Sequence, residues 1–436
     1  MEQTIAGPQK EEPTSRWERE KMVLFEPYRI NLPMLLLTLI LFTFGLIVLF
    51  SASMSVTYAE DIEPFYYAFR QMSLSLAGVL ISVLIIVFWP FGFNRIAVVA
   101  GVYGVTLTLL ILTARFGEVE GNARRWIRIA GVKFQASEIA KVTLVFFIAG
   151  YRSFIVSCRK KGKLRYKTKK MQDRMDAFWD IILPGIAVVA VLVPVLIQPH
   201  MSGFIILGTI SLICFFVSGI KLKSWIQGGL VLLILGLLSA NILMFVSDNE
   251  QKDKFLGNFD HVNARFSIFQ TMNQEDISEK EKDPQNDADV YQSEQAMIAI
   301  GSGGLAGVGF GNSRQKFRYL PAAHTDYVFA IACEEMGFIG GFAIILLFWL
   351  FMCCGLFITL RTQGEFPRIL ALGYTTLITV QAFLSIGVST GVIPPTGITM
   401  PFFSYGGTAN LFFMVAVGLI LAVSRTGTKR KKRFYI

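Results

Sequence analysis

The residues most able to do chemistry are His324-Thr325-Asp326, which lie where a polar stretch ends and an apolar one begins. Partial burial at this boundary would favour the neutral form of Asp326 and would suit a general base. The same position suits a helix N-cap, which Thr325 or Asp326 could supply. The two roles are compatible, because a cap would also hold the carboxylate in place.

A second group of candidates is mainly basic. Arg124 and Arg125 lie in the stretch 114–135, and Glu138 and Lys141 follow at the start of an apolar run. Guanidinium groups bind pyrophosphate through paired hydrogen bonds, so the arginines are candidates for holding a diphosphate. Glu138 and Lys141 are three residues apart, so on a helix they would share a face and could simply pair with each other.

Two segments are unusually rich in glycine or proline. The stretch from Gly391 to Gly407 has both at a density that breaks a helix, and it is predicted to be a re-entrant or broken segment beside the site. A tight turn is the alternative. The stretch from Gly301 to Gly311 could lie close to a membrane surface or a ligand, because glycine has no side chain to prevent it.

The elements that carry these residues are predicted to be membrane-spanning helices. Of the 436 residues, 53% are hydrophobic and 17% are charged, and the net charge is +10. Ten apolar runs of about 20 residues occur, the length that crosses a bilayer as a helix. Ten spans place both termini on one side. Basic clusters lie in the amino-terminal segment, after span 4 and in the tail, and the positive-inside bias makes their side cytoplasmic. This topology explains the positive net charge, so no nucleic-acid partner is needed to account for it.

The predicted fold class is an all-α integral membrane protein of about ten transmembrane helices. Residues 1–31 would form a cytoplasmic amino-terminal segment, 32–424 the ten-helix membrane domain and 425–436 a basic cytoplasmic tail. The domain includes a long extracytoplasmic loop, 247–327, between spans 7 and 8. Its centre, 273–289, is predicted to be mobile because it has almost no apolar residues. The loop 114–135 is also extracytoplasmic, and its arginines break the positive-inside bias.

Five motifs lie along the chain: Arg125-Trp126-Ile127 with Gln135-x-Ser137-Glu138-x-x-Lys141; Tyr291-Gln292; Ile300-Gly301-x-Gly303-Gly304-Leu305-x-Gly307-x-Gly309; His324-Thr325-Asp326 with Glu334-Glu335-x-Gly337; and Pro401-x-x-Ser404-Tyr405-Gly406-Gly407. With them the chain resembles the SEDS family of membrane peptidoglycan glycosyltransferases, represented by FtsW, RodA and SpoVE. The resemblance runs from the first span to the last. Gly311-Asn312-Ser313-x-Gln315-Lys316 is more similar to the FtsW/SpoVE branch than to RodA.

The resemblance implies polymerisation of lipid II, the undecaprenyl-pyrophosphate-linked disaccharide-pentapeptide, into β-1,4 glycan strands outside the cytoplasmic membrane, in cell division or sporulation. Asp326 would be the catalytic residue and would deprotonate the acceptor hydroxyl in an inverting displacement. Arg124, Arg125 and Lys141 would stabilise the departing pyrophosphate. The other residues expected at the substrate site are Glu138, His324, Thr325, Lys316, Ser404, Tyr405 and Gly406.

The family also implies partners, namely a class B penicillin-binding protein transpeptidase and other divisome proteins. A divalent cation, Mg²⁺ or Mn²⁺, could assist, although the sequence shows no ligand set for one. Two other functions remain open: a lipid II flippase, which would move the same substrate without forming a bond, and an inactive divisome scaffold.

Two departures from the family pattern bear on the site. His200 stands where the family has an aspartate after Gln-Pro, and Ala322 stands where it commonly has a glutamate. These departures argue against an acidic residue that assists catalysis at position 200 or 322. Asp326 and Lys141 still match the family motifs.

Overall fold

A computed structural model describes residues 30–88, 96–120, 123–129, 132–198, 200–246, 284–317, 319–321 and 323–426. The described chain is mostly helical. In chain order the helices are α1 (Leu32–Ala59), α2 (Tyr66–Phe88), α3 (Ile96–Phe116), α4 (Ala136–Lys160), α5 (Lys169–Ala177), α6 (Leu183–Ile197), α7 (Met201–Val217), α8 (Leu222–Val246), α9 (Pro284–Ser302), α10 (Val328–Arg361), α11 (Glu365–Ser389) and α12 (Thr408–Thr426). A π-helical turn, Phe178–Ile182, joins α5 to α6.

Eight described helical segments are long and apolar enough to cross a membrane, which confirms a multi-pass membrane protein. They are α1, α2, α3, α4, the continuous α5–α6 segment Lys169–Ile197, α10, α11 and α12. Two shorter apolar segments, Met201–Val217 and Leu222–Leu235, lie where span 6 (about 201–219) and span 7 (about 224–246) are predicted. The count of ten spans, and the side on which each terminus lies, stay predictions.

The predicted mobile centre of the long loop falls largely outside the described residues, because 247–283 are not described. Its last part is different from the prediction, since α9 begins at Pro284 and residues 284–289 are therefore helical. The amino-terminal segment up to residue 29 and the basic tail from residue 427 also lie outside the described residues.

The bundle is centred on three helices. Within their most apolar 18-residue windows, 78% of the residues of α11 and of α12 are buried, and 67% of those of α4, against 22% for α2 and α3. Helices α2 and α3 therefore face outward, where lipid would cover their apolar side chains. The central helices carry or border the candidate residues, so the site is built on the most rigid part of the fold.

A small β-sheet was missed by the all-α prediction. Strands β1 (Glu118–Glu120), β2 (Ala123–Ile129) and β3 (Val132–Gln135) pair antiparallel in that order, inside the stretch predicted to be a loop. The sequence alternates here, since Ile127 and Ile129 flank Arg128, and this period of two is typical of a strand. The sheet leads directly into α4 and so fixes the arginines relative to Glu138 and Lys141.

The segment between α11 and α12 is non-helical, as the prediction of a broken segment required, and its residues 400–404 are buried. Phe402 is fully buried, has φ of 69°, and lies against Gly45 near the midpoint of α1, where a Cβ would overlap the Phe402 carbonyl. The Phe402 amide donates to Asn410 Oδ1 at 2.9 Å, and Asn410 Nδ2 donates to Ser404 O at 3.1 Å. These bonds replace those that a helix would supply, so the irregular backbone is tolerated inside the bundle.

The glycine-rich stretch packs closely against the backbone of α10. Val308 N donates to Glu334 O at 3.0 Å, and Phe338 N donates to Gly304 O at 2.8 Å. Helix α10 is broken here, because Gly337 has φ of 66° and ψ of −165°. A Cβ on Gly307 would overlap Glu335 O, so the two backbones meet without side chains between them.

Gly303→Ala is expected to destabilise the protein by about 1–3 kcal/mol, because the new methyl group would overlap Cys333 O in well-packed backbone. Gly301→Ala is the matched control, since a Cβ there meets no described atom within 4 Å and lies in a helix. Thermal unfolding in detergent measures both variants. Equal unfolding temperatures for the two would contradict the close backbone packing.

Candidate active site

A cavity of about 900 Å³ opens at the end of the bundle where α1 ends and α2, α4, α7 and α12 begin. Its walls come from the α1–α2 connection, the sheet, the first turns of α4 and α7, the segment before α10, and residues 397–407. Eight of the eleven predicted site residues line it: Arg125, Glu138, Lys141, His324, Thr325, Asp326, Tyr405 and Gly406. Residues almost 300 positions apart in sequence therefore share one cavity.

Asp326 lies on the short segment that leads into α10, and it is partly exposed to the cavity. The structure places the N-cap of α10 at Tyr327 rather than at Thr325 or Asp326. A Cβ on Gly397 would lie 3.6 Å from Asp326 Oδ2, so the broken segment closes over the carboxylate. Tyr405 N donates to His324 O at 2.9 Å and joins the two segments.

Lys141 is held at the buried side of the cavity. Its Nζ lies 2.7 Å from Glu138 Oε1 and donates to Gln381 Oε1 at 2.8 Å, and the side chains of Lys141 and Glu138 are only 3% and 6% exposed. Gln381 Nε2 in turn donates to Thr399 O at 3.1 Å. The local ion pair is thus formed, and α11 and the broken segment fix it as well.

The sheet contributes the other cations of the cavity. Arg125, Arg128 and Lys133 all line it, and Arg125 Nε donates to Gln198 O at 3.4 Å. Arg128 is more exposed and pairs with Glu118 at 3.0 Å. Together with Lys141 these side chains make one side of the cavity electropositive, which supplies a local reason for the basic loop.

Three predicted residues lie outside the cavity lining, and the first two are Arg124 and Ser404. Arg124 is exposed, and its Nη1 donates to Arg115 O at 2.9 Å, because alternation along β2 turns it away from Arg125. Ser404 is fully buried, and its Oγ accepts from Met400 N at 2.8 Å. That bond stabilises the turn that presents Tyr405 and Gly406.

The third residue outside the lining, Lys316, belongs to a buried polar cluster with the acids of α10. Its side chain is 0% exposed, and Nζ lies 2.7 Å from Glu335 Oε1 and 2.9 Å from Ser51 Oγ. Glu334 accepts from Ser313 Oγ and from the amide of Arg314. The two buried acids therefore anchor the segment 313–316, and Lys316 lies in this cluster rather than in the cavity lining.

Sequence reasoning missed an aromatic wall. Tyr66 and Tyr67 line the cavity, and the Tyr67 ring lies 4.9 Å from His324 and 4.8 Å from Tyr405, measured between centroids. Arg70 donates to the Tyr66 hydroxyl at 2.9 Å. In the sequence these tyrosines are indistinguishable from an interfacial aromatic belt, because their neighbours come from distant segments.

The sequence profile of the FtsW, RodA and SpoVE proteins, described as cell cycle proteins, matches this chain over residues 32–429. The chain belongs to the FtsW/RodA/SpoVE family.

Individual relatives match this protein over nearly its whole length. A probable peptidoglycan glycosyltransferase FtsW of Geobacter metallireducens is 29% identical over 93% of this chain and 97% of its own. Stage V sporulation protein E of Bacillus subtilis is 30% identical over 91% and 97%. Among solved structures, a chain from a peptidoglycan synthase complex has a TM-score of 0.63 at 22% identity, covering 92% of this chain and 98% of that one. RodA of Thermus thermophilus has a TM-score of 0.59 at 21% identity, covering 93% and 99%, which shows the shared fold.

His200, the departure from the family's aspartate, lies in the turn before α7 and lines the electropositive side of the cavity. It is 8% exposed. Burial, and then the charges of Arg125 and Lys141, lower the pKa of His200 to about 3. The imidazole is therefore neutral at pH 7 and adds no charge of either sign to this side.

The stability of the protein is expected to fall in acid because of His200. The unfolded imidazole gains a proton as the pH falls through its ordinary pKa of 6.5, whereas the folded one stays neutral down to about pH 3. The unfolded state then binds more protons, so stability is lost by up to about 1.4 kcal/mol per pH unit. In thermal unfolding followed from about pH 7 to about pH 5, His200→Gln should lose less stability than the wild type. The same loss of stability with falling pH in the wild type and in His200→Gln would contradict a neutral buried His200.

Within the described residues, the side chains of this protein are not grouped to form a metal site. No group of three or more His, Cys, Asp or Glu residues is placed there to hold an ion. Of the acids that line the cavity, Glu138 is paired with Lys141.

Proposed function

We propose that this protein is a peptidoglycan glycosyltransferase that polymerises lipid II into β-1,4 glycan strands at the outer face of the cytoplasmic membrane. The observation that carries the proposal is one cavity whose lining includes both Asp326 and the cations Arg125, Lys133 and Lys141. A carboxylate and several cations in a shared cavity suit a reaction that removes a proton and expels a diphosphate. The names of the two relatives support the same activity.

In the proposed reaction Asp326 takes the proton of the acceptor sugar hydroxyl as its oxygen attacks the anomeric carbon of the donor. The bond from that carbon to the α-linked diphosphate breaks, and the diphosphate leaves with the electron pair. Attack from the opposite side inverts the configuration and gives a β-linkage. Arg125, Lys133 and Lys141 stabilise the negative charge that develops on the leaving group.

The setting of the reaction follows from the predicted topology. The positive-inside bias places the cavity end of the bundle outside, where Lys141 of α4 and His200 before α7 meet. Towards the opposite end of α4, Arg152 forms a buried ion pair with Asp180, and Arg159 forms a partly exposed one with Asp176. The proposed partner is a class B penicillin-binding protein, supported by the solved complex whose description couples polymerisation with crosslinking. The proposed roles are in division or sporulation.

Purified protein incubated with lipid II, with and without the transpeptidase partner, tests the proposal. The expected product is a ladder of glycan strands. A flippase would instead move lipid II between the leaflets of a vesicle and leave it unpolymerised, and a scaffold would do neither. Absence of polymer under both conditions would contradict the proposed function.

A further inference from the structure

The aromatic wall of the cavity is built from two distant parts of the chain. Tyr66 and Tyr67 begin α2, while His324 and Tyr405 come from the segments that frame Asp326. Tyr66 and Tyr67 pack edge to face at 5.3 Å, and the rings of His324 and Tyr405 lie 6.0 Å apart. The four rings thus form one continuous surface on the cavity lining.

The wall is different from an aromatic belt that faces lipid. Phe65 and Phe69, which flank Tyr67 in sequence, are 59% and 66% exposed and do not line the cavity. Tyr67 is half-buried and packs against the rings of both His324 and Tyr405. The start of α2 therefore divides its aromatic residues between an outward side and a cavity side.

Polar groups border the rings where a ligand with hydroxyl groups could reach them. Glu60 accepts from the Tyr67 hydroxyl at 3.3 Å. Burial raises the pKa of the Tyr405 phenol, which stays protonated at neutral pH and can donate a hydrogen bond.

We propose that this wall is a carbohydrate subsite that binds β-1,4-linked N-acetylhexosamine, with Tyr67 and Tyr405 stacking on the apolar faces of the pyranose rings. Flat aromatic rings bordered by hydrogen-bonding groups match a sugar, which has apolar C–H faces and a rim of hydroxyl and amide groups. Asp326 lines the same cavity as the four rings, so its carboxylate is available to a sugar bound on the wall. The assignment of this sugar as the acceptor rests on the proposed function.

Saturation-transfer NMR on the full-length protein in detergent, with chitotetraose as the probe, tests the subsite. The probe carries neither lipid nor phosphate, so the cationic side of the cavity cannot account for its binding. Transfer to the pyranose C–H protons is expected for the wild type, with at least a threefold loss in Tyr67→Ala and in the bulkier Tyr67→Leu. Tyr67→Phe keeps the ring and should keep most of the transfer. Phe69→Ala, on the same helix but outside the cavity, should behave as the wild type.

Several outcomes would overturn the subsite. They are no transfer with the wild type, equal loss in Tyr67→Leu and Phe69→Ala, or a matching loss of affinity for undecaprenyl diphosphate, which has no sugar. The test is independent of turnover. Polymer formation without chitotetraose binding overturns only the subsite, whereas chitotetraose binding through Tyr67 without any polymer overturns only the proposed function.

Discussion

Asp326→Asn is expected to lower the rate of lipid II polymerisation by about 10²–10⁴-fold, the usual contribution of a general base. Asparagine keeps the shape of the side chain beside Gly397 but cannot accept the proton of the acceptor hydroxyl. The cationic side of the cavity is unchanged, so affinity for lipid II should stay within a few-fold of the wild type. Polymer yield against time, together with lipid II binding, gives both quantities.

Asp326→Glu is the matched control for this substitution. It keeps a carboxylate but moves it by one methylene, so it should retain more activity than Asp326→Asn while remaining below the wild type. A rate for Asp326→Asn within tenfold of the wild type would show that another group takes the proton. Loss of lipid II binding with the rate of bound substrate unchanged would assign Asp326 to binding alone.

Lys141→Met is expected to abolish polymer formation and to destabilise the protein by about 3–5 kcal/mol. The substitution leaves Glu138 buried without its ion-pair partner, with a side chain only 6% exposed, and also removes a donor to Gln381. The double variant Glu138→Gln with Lys141→Met removes both charges and should recover most of the lost stability. It should not recover activity, because the cation beside the leaving group is still missing.

The pair of variants separates folding from chemistry at Lys141. Thermal unfolding and polymer formation are measured on the wild type, the single variant and the double variant. Activity that returns together with stability in the double variant would make Lys141 a structural residue only. Stability that returns alone supports its place in the proposed electrostatic stabilisation.

Local patterns predicted the parts of the fold that depend on local sequence. Apolar runs located the helices, the spacing of Glu138 and Lys141 predicted their ion pair, and the density of proline and glycine predicted the broken segment before α12. Family membership is confirmed by the match over residues 32–429. Each of these signals lies within a few residues or in a motif, so it needs no knowledge of which helices meet.

Features that depend on contacts between distant segments could not be predicted in this way. Gln381 binds Lys141 across 240 positions, and Tyr67 meets Tyr405 although α2 and α12 are far apart in sequence. Lys316 was expected at the substrate site, but its fully buried pairing with Glu335 depends on how the segment after the glycine-rich stretch folds against α10. The sheet also differs from the prediction of a loop. The alternation of apolar and charged residues in this arginine-rich stretch is typical of a strand.

A cavity that makes glycan from lipid II through Asp326 is tested by comparing purified wild type and Asp326→Asn side by side in the same lipid II reaction. Both proteins should bind lipid II, and only the wild type should give a ladder of β-1,4-linked strands that a muramidase digests. A digestible ladder of similar length and yield from Asp326→Asn would contradict the account, as would a wild type that binds lipid II and returns it unpolymerised.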